Sequence, residues 1–471
     1  MRLAGSALAA MVPEPPCGTA LDAGPRLRAS AAPPTPGATS LADAEETRAR
    51  PAETALTPGD AARYDVRFAA RAAGIVSSAM RDLMSLSERP EIISLAGGFP
   101  YTESFQLEVF DEVMARIGRE HLASSLQYGP TEGLFELREL VVGVMAEERV
   151  PARVEDIMIT SGGQQAIDLS IRTFVDPGDI VLAEGPTYPG AVPCFTTYEA
   201  QVIHVPMDGD GLQVDLVEEA LDRLAAEGRR PKLLYTIPTF HNPAGVTMSR
   251  ERRERLVQLA HERELLVVED NPYGQIRFDG ERLPTLYELD AGAGWVIYLS
   301  TFSKILAPGV RVGWVAAPQA VLRKMNLGKQ AADLCSSTIT QRFVIEYMRN
   351  HDWREHVARL NVVYRSRRDA MLRALEEELP AEASWTRPGG GLFVWATLPD
   401  YIDARDLLAM AIRREVAFVP GAAAFLDGQG RHSMRLNFSY IPEERISEGV
   451  RRLGLAVSEM IEIHRAFEGG G

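Results

Sequence analysis

Residues 295–314 read W-V-I-Y-L-S-T-F-S-K-I-L-A-P-G-V-R-V-G-W, an apolar run that leads into hydroxylated residues and a lysine. An uninterrupted apolar run is typical of a strand that is buried on both faces of a sheet. Lys304 follows close behind it, where an ammonium group costs free energy unless a partner pairs with it or its proton is lost. The stretch therefore predicts a buried strand and, at its end, a lysine with a specific chemical purpose.

Apolar runs of the same kind recur along the chain and alternate with longer helical patterns. Segments 164–174 and 250–263 are examples of those helical patterns. Such alternation indicates a mainly parallel sheet that is covered by helices on both faces. We therefore predict an α/β fold whose large domain contains a seven-stranded sheet. The predicted strands are residues 156–160, 180–183, 201–205, 232–237, 264–270, 295–300 and 312–317.

Changes in sequence texture predict four parts of the chain. Residues 1–60 are rich in alanine and proline without a sustained apolar period, so they are predicted to be disordered. Residues 106–340 form the predicted large domain, which residues 61–105 precede. In residues 341–471, a charged helical region is followed by alternating strands, which is typical of a smaller α+β domain.

The acidic composition narrows the class of ligand. The chain has 471 residues and a formal net charge of −15 at pH 7. Such a surface repels nucleic acids and anionic membranes, so we predict neither as a partner and expect a small-molecule ligand. No apolar stretch approaches the roughly 20 residues that a membrane-spanning helix needs.

Cysteine and histidine spacing predicts neither disulfides nor a metal site. The separations of Cys17, Cys194 and Cys335 fit no disulfide framework and no zinc site, which favours a reducing, cytoplasmic location. His351 and His356 lie in a charged helical pattern without a metal motif, and we interpret them as part of a solvated face.

Polar residues gather where the predicted strands end. Gly162 and Gly163 stand between a strand and a helix, where free N–H groups can bind an anion such as phosphate. Asp270 ends one strand, and Asn242 follows another. Each feature has an ordinary alternative by itself: a tight turn for the glycines, a helix cap or ion pair for Asp270, and a common N-P-x-G turn for Asn242.

Together these strand ends favour one kind of ligand. They bring an anion-binding turn, a carboxylate, an amide, Lys304 and Arg311 to the carboxyl edge of the sheet, where ligands bind in folds of this type. This set suits a phosphate, a protonated ring nitrogen and an electrophilic carbon, which are the groups of pyridoxal 5′-phosphate. Apolar strands and the cation of Arg311 should lower the pKa of Lys304 and make its amine a nucleophile and a base.

A series of short motifs runs through roughly residues 65–465. They are I-S-L-A-G-G-F-P (93–100), Q-Y-G-P-T-E-G (127–133), S-G-G-Q-Q (161–165), G-P-T-Y-P-G (185–190), H-N-P-A-G (241–245), E-D-N-P-Y-G (269–274), S-T-F-S-K-I-L-A-P-G-V-R-V-G-W (300–314), P-G-G-G-L-F-V-W (388–395) and R-L-N-F-S (435–439). In content and order they resemble the fold-type I pyridoxal-phosphate aminotransferases of class I/II. The resemblance is to the branch with 2-aminoadipate and kynurenine aminotransferases, which is related to the aminotransferase domain of the MocR regulators.

The resemblance implies a role for each motif residue around the cofactor. Lys304 forms the Schiff base and later moves a proton, Asp270 keeps the pyridine nitrogen protonated, and Tyr188 stacks on the ring as the third catalytic residue. Asn242 and Tyr273 bond the phenolic oxygen. The phosphate ligands are Gly163, Gln164, Thr301, Ser303, Arg311 and the partner subunit's Tyr128.

The resemblance also implies a capping segment, a substrate site and a homodimer. Residues 61–105 would form the N-terminal capping segment, which contributes to the small domain. Arg435 clamps the substrate carboxylate through two parallel hydrogen bonds, and Asn242 and Gly98 belong to the same substrate site. The active sites lie at the subunit interface, because Tyr128 is useful only if it reaches a neighbouring subunit.

The sequence departs from the common family pattern at three positions. Threonine at Thr301 stands where serine is frequent. Glycine at Gly163 also stands where serine is frequent, and because it keeps the backbone donor but loses a hydroxyl, we expect slightly weaker phosphate binding without lost activity. His241 stands where glutamine is frequent, beside Asn242. An altered substrate pocket is one interpretation of this change, and a histidine of a surface turn is the interpretation that we favour.

The predicted function is transfer of an amino group from an α-amino acid to a 2-oxo acid, with 2-oxoglutarate as the expected acceptor. A cofactor enzyme that eliminates, cyclises or oxidises its substrate is an alternative that the cofactor residues do not exclude. A non-catalytic, ligand-sensing regulator is a second alternative, but residues 1–60 lack the helices and positive charge of a DNA-binding domain. No residue selects among acidic, aromatic and branched amino donors.

Overall fold

The computed structural model describes residues 64, 66–74 and 89–468, and its contacts divide the chain into residues 1–67 and residues 68–471. The second unit is the one described below. The predicted disordered segment 1–60 lies outside the described residues, as does most of the stretch before residue 89 in the predicted capping segment. The predicted domain boundaries at residues 105 and 340 stay predictions.

A sheet of eight strands forms the centre of this unit. The strands are β2 (Ile157–Thr160), β3 (Ile180–Gly185), β4 (Gln201–Asp208), β5 (Gly211–Leu212), β6 (Pro231–Thr236), β7 (Val267–Asp270), β8 (Val296–Thr301) and β9 (Gly313–Ala316). They lie in the order β2-β9-β8-β7-β6-β3-β4-β5. Strands β8, β7, β6, β3 and β4 pair in parallel, whereas β9 runs antiparallel between β2 and β8.

Helices cover both faces of this sheet. Alternate residues of β3 enter different cores: Val181 and Ala183 on one face, Ile180 and Leu182 on the other. This explains the uninterrupted apolar runs, because neither face is left for polar side chains. The described helices are α1 (Leu107–Arg116), α2 (Leu122–Ser125), α3 (Phe135–Glu147), α4 (Gly163–Phe174), α5 (Val192–Thr197), α6 (Val214–Ala226), α7 (Arg250–Arg263), α8 (Leu286–Asp290), α9 (Gln319–Asp333), α10 (Thr338–Asn350), α11 (Trp353–Glu378), α12 (Ala404–Arg413) and α13 (Glu443–Glu468).

A second sheet is antiparallel throughout. Its strands are β10 (Ser384–Trp385), β11 (Phe393–Thr397), β13 (Val419–Pro420) and β14 (Ser433–Asn437), in the order β10-β11-β14-β13. Strand β1 (Ile93–Ser94) pairs in parallel with β12 (Val416–Ala417). The backbone of Leu95 then bonds Ala417 and Asn437, so the segment after β1 lies against β14.

The predicted elements are present with two differences. The sheet gains β5, a two-residue strand that pairs antiparallel with the end of β4. The charged helical region 341–379 forms two helices, because the carboxylate of Asp352 accepts hydrogen bonds from the N–H groups of Arg354 (3.0 Å) and Glu355 (3.2 Å) and starts α11.

The interpretation of the α10–α11 histidines as a solvated face is wrong for His356. This residue is 2% exposed and lies edge-on to Phe105 and Tyr347, whereas His351 is partly exposed and stacks on Tyr347. Within the described ranges, no group of three or more potential ligands could hold a metal ion, and no helix combines the length and apolarity needed to cross a membrane.

One buried arginine fastens the loop between β6 and α7. Arg253 on α7 is fully buried, and burial lowers its pKa to about 10. Its guanidinium donates to the carbonyls of Met248 (2.9 Å), Pro284 (3.0 Å) and Pro238 (2.6 Å) and to the hydroxyl of Thr239 (2.9 Å). The loop that carries Asn242 is therefore held from the helix that follows it.

We expect Arg253→Met to lower the free energy of unfolding by about 3 kcal/mol or more, since it leaves several buried oxygens without a donor. Denaturant unfolding of the purified variant measures the change. Arg250→Ala, on the exposed side of α7, should stay within about 0.5 kcal/mol of the parent protein. Equal losses in the two variants would contradict the role of Arg253.

Candidate active site

The carboxyl ends of the parallel strands meet at one edge of the large sheet, and Lys304 lies there. It follows β8 by three residues, is partly buried, and donates a hydrogen bond from Nζ to the carbonyl oxygen of Gly98 (2.9 Å). Burial, followed by the charges of Arg435 and Arg311, lowers the pKa of Lys304 from 10.5 to about 8. The predicted direction of the shift is confirmed.

Asp270 ends β7, beside β8. It is 5% exposed, and its Oδ2 accepts a hydrogen bond of 2.7 Å from the Tyr235 hydroxyl on β6. Burial raises the pKa of Asp270 from 3.8 to about 7, the Tyr235 hydrogen bond opposes this, and the charge of Glu184 adds to it. The carboxylate thus lies in a setting that disfavours its charge.

Asn242, Tyr273 and Arg435 form a hydrogen-bonded group between the two sheets. The amide nitrogen of Asn242 donates to the Tyr273 hydroxyl (3.3 Å), and its oxygen accepts from Nη1 of Arg435 (3.1 Å). Arg435 also donates to the carbonyl of Ala96 (2.7 Å), and its guanidinium lies 4.3 Å from the centre of the Phe393 ring. Burial lowers the pKa of Arg435 to about 10, a value at which it stays charged at neutral pH.

The turn between β2 and α4 combines a glycine with positive φ, the start of a helix and a nearby cation. Gly162 has a φ of +80°, and a side chain there would collide with the guanidinium of Arg311. Gly163 begins α4, so the free N–H groups of the first helical turn start at this point. Nη2 of Arg311 donates to the carbonyl of Ser161 (3.4 Å), which places the cation against the turn.

The two hydroxyl groups predicted at this site lie close together. Oγ1 of Thr301 and Oγ of Ser303 are 2.8 Å apart, and Oγ1 of Thr301 also donates to the carbonyl of Val312 (3.0 Å). Gln164 is directed elsewhere, since its amide donates to the carbonyl of Gly190 (2.6 Å). Its backbone N–H, in the first turn of α4, is the group it can offer to an anion.

Tyr188 lies near the acid, and Tyr128 is exposed on the surface of the chain. Tyr188 is partly buried, and burial together with the charge of Asp270 raises its pKa to about 12. Tyr128 is 78% exposed. The chain thus brings every predicted site residue except Tyr128 to this edge, and the individual roles of these residues stay predictions.

Comparison with known proteins identifies the family. Residues 90–453 match the family model of the class I and II aminotransferases. The chain belongs to the class I and II aminotransferases. It is an aminotransferase of the α/β type with a mainly parallel mixed sheet flanked by helices, the fold type I that the sequence predicted.

Three similar aminotransferases support the assignment. An aromatic-amino-acid aminotransferase of Thermococcus litoralis is 46% identical over 397 residues, which cover 84% of this chain and 95% of the relative. A kynurenine aminotransferase structure from Pyrococcus horikoshii, in complex with PMP, has a TM-score of 0.81 at 43% identity and covers 85% of this chain and 98% of that one. The α-aminoadipate aminotransferase LysN of Thermus thermophilus, complexed with N-(5′-phosphopyridoxyl)-L-leucine, has a TM-score of 0.79 at 40% identity, with 85% and 99% covered.

The predicted relation to regulators is also confirmed, at a greater distance. An uncharacterized HTH-type transcriptional regulator of Bacillus subtilis, YdfD, is 28% identical over 381 residues, which cover 81% of this chain and 77% of the regulator.

The interpretation of His241 as a surface turn histidine is wrong. His241 is 1% exposed, its Nδ1 accepts a hydrogen bond from the N–H of Ala244 (3.2 Å), and its Nε2 lies 2.9 Å from Oε2 of Glu184. That last contact has the distance of an ion pair without the angle of a hydrogen bond. The N-P-A-G turn predicted an exposed position, but the turn lies inside the aminotransferase fold.

The sequence interpretation missed Glu184 and Tyr235. Glu184 is 1% exposed in β3, and its carboxylate accepts from the Thr236 hydroxyl (2.7 Å) and the N–H of Ile237 (2.8 Å). An acid near the end of an apolar strand was a usable signal, the same one that identified Asp270. Tyr235 had no such signal, because a tyrosine inside a strand is ordinarily a core residue.

The raised pKa of Asp270 predicts that its ionised carboxylate lowers the stability of the cofactor-free enzyme. The contribution of Asp270 to stability is full below pH 3.8, declines as the pH rises, and is lost above about pH 7, because the folded protein holds the proton more tightly than the unfolded chain. We expect the free energy of unfolding of cofactor-free Asp270→Asn to exceed that of the parent by about 2–4 kcal/mol at about pH 8. This difference should shrink towards about pH 4.

Urea unfolding across that pH range measures the difference. Asp111→Asn, on the exposed side of α1, serves as the control and should leave the pH profile unchanged. An Asp270→Asn protein that is no more stable than the parent at the higher pH would contradict the expectation.

Proposed function

We propose that this aminotransferase moves the amino group of an α-amino acid to a 2-oxo acid, with pyridoxal 5′-phosphate as its cofactor and 2-oxoglutarate as its acceptor. The observation that carries the proposal is the amine of Lys304. The pKa of Lys304 is about 8, and the charges of Arg435 and Arg311 help to lower it. The lysine follows β8, which pairs with β7, the strand that ends in Asp270. An amine of this kind is a nucleophile and a base near neutral pH.

The residues at the strand ends fit the groups of this cofactor. Gly162 leaves room for a guanidinium and free N–H groups to converge on one point, a combination that suits a phosphate. The buried carboxylate of Asp270 suits a protonated ring nitrogen, which would supply the positive charge that its surroundings lack. When bound, pyridoxal 5′-phosphate supplies an aldehyde for the amine and a ring that withdraws electrons.

The chain's own groups then handle orientation and proton transfer. Lys304 would hold the cofactor through its amine and, when that amine is free, would take the proton from the substrate Cα. Asn242 and Tyr273 would orient the ring, and their mutual hydrogen bond keeps both polar groups in place. Tyr188 would pack against the ring.

Arg435 is proposed to recognise the α-carboxylate of the substrate. A guanidinium can make two parallel hydrogen bonds to a carboxylate, and burial strengthens them. Two of its acceptors, the side chain of Asn242 and the carbonyl of Ala96, are neutral oxygens that an anion can displace.

The relatives suggest the class of donor and acceptor. Their names include aromatic amino acids, kynurenine and α-aminoadipate. α-Aminoadipate is a dicarboxylic amino acid one methylene longer than glutamate, which supports 2-oxoglutarate as an acceptor here. We propose aromatic and acidic amino acids as the donors.

Purified enzyme with a panel of single amino acids, with and without 2-oxoglutarate, tests this function when products are identified by mass. We expect glutamate to accumulate with the 2-oxo acid of the donor. Lys304→Ala should lower kcat by about 10³-fold or more, because it loses both the nucleophile and the base. Lys324→Ala, which is exposed on α9, is the matched control.

Two outcomes would contradict the proposal. Products of elimination, cyclisation or oxidation without glutamate would assign the chain to another cofactor chemistry. Undiminished turnover by Lys304→Ala would remove the lysine from the reaction.

We further propose a homodimer in which the partner subunit's Tyr128 completes each site. Tyr128 belongs to a stretch of sequence, residues 107–135, that carries five other large apolar side chains exposed on the isolated chain, a pattern typical of a surface that another subunit covers. These side chains are Leu107, Phe110, Leu122, Leu126 and Phe135.

Mixed dimers test this arrangement. Lys304→Ala and Tyr128→Ala proteins should each be impaired alone, but a hybrid dimer would contain one site with both native residues. With equal amounts of the two subunits, random pairing would restore about one quarter of the native sites. Activity that does not recover in hybrids purified with two different tags would place Tyr128 outside the partner's site.

A further inference from the structure

An ion pair between a fully buried lysine and a partly buried aspartate lies directly behind the anion-binding turn. Lys329 on α9 is fully buried, and its Nζ donates to both carboxylate oxygens of Asp333, at 2.7 and 2.9 Å. Burying a lysine costs several kcal/mol unless good geometry and further hydrogen bonds offset the cost. A pair of this kind therefore calls for an explanation.

Asp333 is also badly placed for its own helix. It is the last residue of α9, where the helix dipole disfavours a negative charge. Its carboxylate faces the turn between β2 and α4, where Oδ2 accepts hydrogen bonds from the Gln165 amide (2.8 Å) and the Ser161 hydroxyl (3.0 Å). These donors, with Lys329, keep the pKa of Asp333 below its ordinary value although burial raises it.

The contacts of Asp333 continue into the turn itself. Gln165 is held at both ends, because its oxygen accepts from the N–H of Ser161 (2.7 Å) while its amide donates to Asp333. The carbonyl of Ser161 accepts from Arg311 (3.4 Å). The chain of contacts thus runs from Lys329 to the residue before Gly162 and to the cation beside it.

The other side of the turn is fixed by close packing. A side chain at Gly313 on β9 would come within 2.7 Å of the Gly162 backbone and 2.8 Å of the Gly163 nitrogen. The turn is therefore held between β9 and the Asp333 carboxylate. Because Gly163 has no hydroxyl, an anion here depends on backbone N–H groups, whose direction the turn sets.

We propose that Asp333 and Lys329 are positioning residues for the cofactor phosphate: they fix the turn at Ser161–Gly163 and, through it, Arg311. This inference rests on the proposed function, since it assumes that pyridoxal 5′-phosphate occupies the site. Neither residue touches the reacting atoms. Their effect should therefore fall on the phosphate and leave the rest of the cofactor untouched.

The test compares the binding of pyridoxal 5′-phosphate with that of pyridoxal, which lacks the phosphate. Full-length protein freed of its cofactor is titrated with each compound, and the ratio of the two Kd values measures phosphate selectivity. In Asp333→Asn and Lys329→Met we expect the Kd for pyridoxal 5′-phosphate to rise about 10- to 100-fold, with less than about a threefold change for pyridoxal. Lys324→Met, exposed on the same helix, should leave both constants unchanged.

The double variant Lys329→Met/Asp333→Asn separates positioning from folding. It removes both charges, so it avoids the lone buried charge of each single variant and should recover thermal stability. The low phosphate selectivity should nevertheless persist, because Ser161 and Gln165 still lack their charged acceptor.

The outcomes distinguish this inference from the proposed function. Wild-type selectivity in the folded variants, or equal losses for both compounds, would overturn the positioning role. Wild-type protein that binds pyridoxal 5′-phosphate no better than pyridoxal would overturn the proposed function itself. Lys304→Ala provides the reverse control, since it should lose turnover and keep phosphate selectivity.

Discussion

The burial of Asp270 is the constraint on which the active site depends. Its carboxylate ends a strand inside the protein, and the Tyr235 hydroxyl is the one side chain that donates to it within the described part of the chain. The resulting pKa of about 7 means that a negative charge is held there at a cost in stability. A cationic ring nitrogen would offset that cost. Binding of the cofactor would therefore be favoured by the same free energy by which the unpaired charge destabilises the cofactor-free protein.

Like the carboxylate of Asp270, the cations of the site would be stabilised by a ligand of opposite charge. Lys304, Arg311 and Arg435 converge in a protein whose formal net charge is −15, and the charges of the two arginines lower the pKa of Lys304. Anionic ligands gain little from the acidic surface as a whole, so the attraction has to be local and short-ranged. A phosphate and a substrate carboxylate would each relieve one part of this repulsion. The site thus contains charges that are unfavourable in the cofactor-free protein and that bound ligands would neutralise.

The sequence predicted the sheet and the positions of the site residues because both follow from local patterns. Uninterrupted apolar runs predicted the strands. Because ligand-binding residues lie at the carboxyl ends of parallel strands, these runs also predicted that Asp270, Asn242 and Lys304 lie at one edge of the sheet. Contacts set by distant parts of the chain were beyond this reasoning. His241 is buried although its N-P turn is typical of a surface, and the Tyr235–Asp270 bond depends on the stagger between two strands. Such features require the packing of the whole unit, which no local pattern encodes.

Three cations, two of them fully buried and one partly buried, show how the number of acceptors decides between support and chemistry. Arg253 meets four oxygens and holds a loop, and burial lowers its pKa only to about 10, a value at which it stays charged. Lys329 meets a carboxylate that is itself held by two further donors. Lys304 has one carbonyl acceptor within the described part of the chain, and two like charges lower its pKa further. Since an ammonium group is retained only where acceptors offset the lost hydration, the amine with the poorest set of acceptors is the one that can give up its proton and react.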